Sequence, residues 1–219
     1  MPRQSDARQI DEFVERMSAL KFENAFNPYA HACTQHDKRG APSIRRRNLT
    51  AVLNAAISSG VDSIWVARDL GYRGGRRTGL ALTDETHLDD HAALLSAGSL
   101  VRATKGAPVS ERTATVIWQV LNSLQRPIFL WNVFPFHPHE RDDPMSNRCH
   151  TREERQLCLP FLTWLLEKLN PKSVVAIGCD AQFALSNLRI DALKVRHPSY
   201  GGQAEFVRGI HSHYGIGGS

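Results

Sequence analysis

A chain of 219 residues is long enough to bury one substantial core and short for two, and its 42% hydrophobic and 22% charged residues exclude a disordered, collagen-like or coiled-coil polymer. Lysine and arginine number 27 against 22 aspartate and glutamate, a net charge of +5 that favours a polyanionic partner. No window approaches the roughly 18 apolar residues that a membrane span needs, so the expectation is a single domain over residues 1–219 in the cytoplasm, without a membrane partner.

The segment of about residues 1–60 reads as helical, with amphipathic spacing over Asp11 to Leu20 and Asn48 to Ser59 and a basic cluster of Lys38, Arg39, Arg45, Arg46 and Arg47. Ser63-Ile64-Trp65-Val66-Ala67 is a short apolar strand, followed by a glycine-rich loop crowded with Arg68, Arg73, Arg76 and Arg77. Ser110 is placed to cap a helix through Val116, Ile117, Val120 and Leu121, and Pro127 to Trp131 reads as a second buried strand. Thr151 and Glu154 have the spacing of a capping box before a long helix bearing Leu157, Phe161, Leu162, Leu165 and Leu169, which Pro160 is placed to kink and Asn170-Pro171 to stop. Ser173 to Gly178 is a third strand, Ala181 to Leu188 a short helix, Ala192 to Val195 a fourth strand and Glu205 to His213 a last helix; Gly215 to Ser219 is expected to fray. Helices alternating with short apolar strands predict an α/β domain: a central four-stranded, mostly parallel sheet with helices on both faces.

Cys33, Cys149, Cys158 and Cys179 form no CxxC pair and read as ordinary thiols, so neither an iron–sulfur cluster nor any other cofactor is expected.

Ligands of such sheets sit beyond the carboxyl ends of the strands. Three of those places are unusually polar: Arg68-Asp69-Leu70-Gly71-Tyr72, Asn132 to His137, and Arg196 to Gly202. A carboxylate from Asp69 can orient water or face a developing cation, an amide from Asn132 can read a donor and acceptor edge, and an imidazole from His197 can hydrogen-bond a leaving group. Arginines forking onto phosphates from a glycine loop (Arg68, Arg73, Arg76, Arg77) suit nucleic acid, and Gly201 and Gly202 at the head of the last helix can offer backbone N–H groups to another phosphate.

In these residues the chain resembles the uracil-DNA glycosylase superfamily. His197-Pro198-Ser199 looks like the family's HPS motif, Asp69 with Tyr72 and Gly79-Leu80 resembles its first motif, and Asn132 at the end of an apolar strand resembles its base-reading asparagine. The resemblance implies hydrolysis of the bond between uracil and deoxyribose in single- or double-stranded DNA, with the nucleotide turned out of the stack, by a cofactor-free monomer that leaves an abasic site and does not cut the strand. It implies Asp69 and His197 as catalytic residues and a base pocket of Asn132, Tyr72, Phe134, Phe136 and Leu82. DNA would be contacted by the four arginines with Ser199, Tyr200, Gly201, Gly202 and Gln203, Tyr200 or Gln203 acting as the wedge. The sequence departs from the family's Asp-Pro-Tyr by one residue, has Leu82 where a stacking Phe is common, and has Tyr200-Gly201-Gly202-Gln203 after HPS.

Three other readings stay open. Hypoxanthine or xanthine is the excised base; or His137-Pro138-His139, with Glu140, Asp142, Asp143 and His150, holds the metal of a hydrolase; or the chain is a DNA-binding module without catalysis.

Overall fold

The computed structural model describes residues 4–216. In chain order its elements are α1 (Gln4–Ala19), β1 (Ala25–Phe26), α2 (Ala41–Ser59), β2 (Ser63–Asp69), α3 (Gly75–Thr78), α4 (Leu88–Leu95), α5 (Arg112–Leu124), β3 (Ile128–Phe134), β4 (His137–Pro138), α6 (Arg152–Leu169), β5 (Ser173–Ile177), α7 (Cys179–Asn187), β6 (Leu193–Val195) and α8 (Gln203–Tyr214). The main sheet has the order β3-β2-β5-β6 with every pair parallel, and β1 with β4 forms a small antiparallel ladder that the sequence pattern does not announce.

Period-two alternation sorts the strands' side chains onto two cores. Ile64, Val66, Phe129, Trp131, Val133, Val174 and Ala176 join residues of α1, α2, α4, α6 and α7 on one face. Trp65, Ala67, Ile128, Leu130, Val175 and Ile177 join α5 and α8 on the other. The first core closes on an aromatic cluster, with Phe13 of α1 5.2 Å from Phe161 and 5.8 Å from Trp131.

β2 and β3 outrun their apolar stretches, since Arg68, Asp69 and Asn132 to Phe134 belong to the strands and not to loops. In register, Ala67 pairs with Asn132 and Asp69 with Phe134. α2 starts at Ala41, well before Asn48: Gly40 turns the chain in the left-handed region and a proline sits in the first turn, where its missing N–H costs nothing. Thr151 and Glu154 make the capping box as the spacing predicts, and α6 continues through Pro160. α5 is capped at Glu111 and not at Ser110. Gly215 and Ile216 finish α8 with backbone bonds to Ser212 and His211 instead of fraying, and residues 217–219 lie outside the description.

The chain leaves β2 toward β3 and leaves β5 toward β6, so the direction of winding reverses between β2 and β5, the crevice where ligands bind in such sheets. α2 and α5 lead directly into parallel strands, so their N-termini stand at that same carboxyl end.

Candidate active site

Asp69 is the last residue of β2, and His197 lies just beyond β6, on the other side of β5. Between them Gly178 closes β5 with φ +92°, and a Cβ there would stand 3.6 Å from the Cβ of His197. The imidazole is held below the ordinary histidine value by burial and by the charge of Arg68, with Asp69 acting in the opposite sense. It is therefore neutral at pH 7. Nδ1 accepts the backbone N–H of Ser199 at 3.2 Å and lies 2.8 Å from its hydroxyl. Gly202 keeps this turn tight, because a Cβ there would lie 2.2 Å from the His197 carbonyl oxygen.

The Asp69 carboxylate accepts from Arg68 Nε at 2.8 Å, and the same oxygen is 3.5 Å from Nδ1 of His150. Arg68 spans the crevice to Asp180 at 3.9 Å. His150 is buried, its Nδ1 has no hydrogen-bond partner, and its ring packs on Phe134. It immediately precedes the α6 cap, where the Thr151 hydroxyl accepts from the Glu154 N–H, Glu154 accepts from the Thr151 N–H at 2.6 Å, and Arg148 clamps Glu154. The sequence offered His150 only as a metal ligand; its place beside Asp69 was visible only in that it abuts a capping box.

Asn132 follows Ile128 and Leu130 in alternation, so its amide faces the α5 side of the sheet. It is 1% exposed, and its Oδ1 has no partner. An unmatched buried carbonyl costs about 1–3 kcal/mol, which a ligand donor would recover. The amide oxygen is shut off from solvent in this structure. Two open grooves lie elsewhere: about 650 Å³ between α1 and α2 beside Asp11, Arg46 and Asn54, and about 550 Å³ along Gly201, Gln203 and Val207.

The glycine loop corrects two of the expected phosphate contacts. Arg76 is 6% exposed, stacks on the Phe26 ring at 3.8 Å and faces His137 Nδ1 at 3.3 Å. Arg77 is buried and paired with Glu85 at 2.9 Å. Both serve the interior, where carboxylate, ring and imidazole partners hold them. Arg45 of the first basic cluster is likewise buried against Asp37. Arg73 is exposed, with Nε donating to the Ser110 carbonyl, and Arg68 is partly exposed beside Asp69. Tyr72 is half-buried and donates its backbone N–H to Asn147.

Phe134 and Phe136 are a further correction. Both rings are fully buried, 5.3 Å apart, and packed on Phe22, so neither offers a face to a base. Leu82 is half-buried in the left-handed region and packs beside the α5 core. Beyond His197, Tyr200 is 98% exposed at φ +51°, with Gly201 and Gln203 also exposed and Gly202 buried.

The metal-hydrolase reading meets occupied ligands. His137 directs Nδ1 at Arg76 and Nε2 at the Ser146 carbonyl and Asn147, and His139 Nδ1 faces the Glu140 carbonyl. Among the described residues no three His, Cys, Asp or Glu side chains come together as a metal site, and the four cysteines are free thiols.

One group was not singled out by the sequence. A Cβ on Gly71 or Gly74 would lie 2.4 or 2.1 Å from the carboxyl oxygens of Glu111, so that carboxyl is folded against the loop that leaves Asp69. Burial and the charge of Asp84 push Glu111 up to about 7, with Arg73 opposing.

No curated protein matches the chain. A crystal structure of wild-type SMUG2 from Pedobacter heparinus superposes with a TM-score of 0.60 at 10% identity, covering 94% of this chain and 96% of that one, a likeness of fold. The model of the uracil DNA glycosylase superfamily matches residues 86–208, a span that contains Asn132 and His197 and starts after Asp69. Since that match takes in more than half of the sequence, the chain belongs to the uracil DNA glycosylase superfamily and is a DNA glycosylase.

Proposed function

We propose that this glycosylase removes uracil from DNA and leaves an abasic site without cutting the strand, as a monomer acting through its own side chains. The observation that carries the reading is the buried, unpartnered Oδ1 of Asn132 at the end of the sheet that also bears Asp69 and a neutral His197. Uracil presents N3–H to an acceptor and O4 to a donor, which one amide satisfies together. Cytosine offers an amine and an unprotonated nitrogen instead, so both bonds fail.

Cleavage of the N1–C1′ bond builds positive charge on the sugar and negative charge on the base. Asp69 faces the cation and orients the attacking water, with Arg68 bonded to its carboxylate and His150 packed 3.5 Å from the same oxygen. The Nε2–H of His197 donates to uracil O2 as charge collects there. The site residues include no lysine, so no imine with the sugar is expected. Arg68 and Arg73 contact phosphates beside the crevice, and the fully exposed Tyr200 is the side chain placed to enter the base stack.

The test is incubation with duplex and single-stranded oligonucleotides carrying one uracil, followed by alkali. Alkali-dependent cleavage at the uracil, lost in Asp69→Asn and in Asn132→Leu, is the expected result. Retained DNA binding with no abasic product from any uracil substrate would reject the reading.

A further inference from the structure

The chain before α2 and the chain before α5 are zipped together at an antiparallel bridge between Asp37 and Thr104. Backbone N–H groups close it, from Lys38 to the Ala103 carbonyl at 2.9 Å and from Lys105 to the His36 carbonyl at 2.8 Å. Lys38, Arg39 and Lys105 stand exposed on this bridge, with Arg102 half-buried beside them. Between residues 27 and 47 the only carboxylate is Asp37, and between residues 96 and 110 there is none. The Asp37 side chain is buried in its pair with Arg45, and Glu85, which accepts from the Thr104 hydroxyl, is buried in its pair with Arg77. Among the described residues, therefore, none of the four cations has a carboxylate partner.

Gathering like charges works against the fold, yet the bridge holds them in place. Lys38 Nζ donates to the Arg102 carbonyl at 3.0 Å, Lys105 Nζ donates to the Thr34 carbonyl at 3.4 Å, and the Asn48 amide of α2 bonds both backbone groups of Val101. A fixed array of cations recovers its repulsion by meeting a polyanion and releasing that polyanion's counterions. The position says which one. Both loops lead into helices whose N-termini stand at the carboxyl end of the sheet, the end that bears Asp69 and His197. The second loop runs on to Ser110, whose carbonyl accepts from Arg73 at 3.3 Å, and Arg45 beneath the bridge donates to the Arg77 carbonyl at 2.9 Å. The bridge is thus continuous with the glycine loop that leaves Asp69.

We propose that Lys38, Arg39 and Lys105 form a second backbone-binding tract, which takes the phosphates of double-stranded DNA beyond the nucleotide being excised. The proposal rests on the DNA passing Arg73, as the functional reading has it. The tract reads no sequence and takes no part in breaking the glycosidic bond; it lengthens the footprint on the duplex. A duplex is the occupant and not a single strand, because unpaired bases are held on aromatic faces, and residues 30–47 and 96–110 include no Phe, Tyr or Trp.

Binding of the full-length protein to duplexes with one central abasic-site analogue, the product of any DNA glycosylase, tests the tract across a salt series. One duplex is about one helical turn long and the other about three. In a variant carrying Lys38→Gln, Arg39→Gln and Lys105→Gln together, the salt slope on the long duplex should fall by about 3, and on the short duplex by much less. Arg39→Gln alone, at a side chain that makes no hydrogen bond, should lower the long-duplex slope by about 1 and leave the urea midpoint unchanged, so the result does not depend on the bridge staying closed in the triple variant. A wild-type slope on the long duplex, an equal fall on both duplexes, or a fall seen only on single strands would overturn the tract. Arg73→Ala with an unaltered slope on the short duplex would overturn the underlying path past the glycine loop instead.

Discussion

The backbone N–H of Ser199 donates to Nδ1 of His197 at 3.2 Å. A donor at Nδ1 makes that nitrogen the acceptor, so the single proton of the neutral ring sits on Nε2. Burial and Arg68 resist protonation of the ring, so the neutral tautomer holds to lower pH than in a free histidine. His197→Ala should lower single-turnover uracil release by about 10²–10³-fold, the usual loss when one donor to a developing anion is removed. The wild-type acid limb for uracil should lie below the ordinary histidine value. A midpoint at that value would remove the neutral ring from the mechanism.

Besides Arg68, the Asp69 carboxylate faces a residue 81 positions away, since His150 Nδ1 stands 3.5 Å from it and the α6 cap follows His150 directly. Thr151→Ala removes one cap bond, worth about 1 kcal/mol of stability. The same change should lower kcat more than it raises KM, because it loosens the surroundings of a carboxylate that acts mainly in the transition state. His150→Phe keeps the packing on Phe134 and drops the contact to Asp69. A kcat unchanged in both variants would leave His150 a packing residue.

The two kinds of arginine in the glycine loop separate cleanly in solution. Arg77 is paired with Glu85, which also accepts the Val109 N–H at 2.9 Å, so Arg77→Ala leaves a buried carboxylate unpaired and should cost about 3–5 kcal/mol in urea unfolding. Arg73→Ala should leave the unfolding midpoint within experimental error, weaken DNA binding uniformly across sequences, and reduce the salt slope of binding by about 1. An unchanged salt slope would take Arg73 out of the DNA contact.

What was legible in the sequence was local in the chain. Thr151 and Glu154 find each other three residues apart, and Ile64 to Val66 or Phe129 to Trp131 declare a strand as short unbroken apolar runs, so the sheet and α6 follow from short patterns. Polar strand ends were not legible, because Arg68 and Asn132 break the apolar run without breaking the ladder. Nor was the fate of Arg76 and Arg77, whose partners Phe26, His137 and Glu85 come from elements that only the fold brings near. The same holds for Glu111, whose meaning depends on two glycines about 40 residues earlier that make room for its carboxyl. Asp69, Asn132 and His197 were singled out because each stands at or near the carboxyl end of a strand of one parallel sheet, a topology that the alternation of helices and short apolar runs does carry.

Acid should unfold the protein through histidines that the core keeps neutral. Burial, with the charge of Arg76, lowers His137 to about 4, and its ring bonds to Ser146 and Asn147 only partly oppose this. Above pH 6.5 the ring is neutral in both folded and unfolded chains and contributes no pH dependence. As pH falls below 6.5 the unfolded chain takes up a proton that the native ring refuses, and stability is lost until about pH 4, where the native ring also protonates. The loss attributable to His137 is about 2 kcal/mol by pH 5. Glu111, raised to about 7, works in the opposite direction, favouring the folded state as pH falls from 7 toward the ordinary carboxyl range, so the comparison is with a variant and not with pH alone. His137→Gln, unfolded in urea at pH 7 and pH 5, should lose about 2 kcal/mol less than wild type between the two. Equal losses in the two proteins would mean that His137 is charged in the native state, and with it that Arg76 does not face an imidazole lone pair.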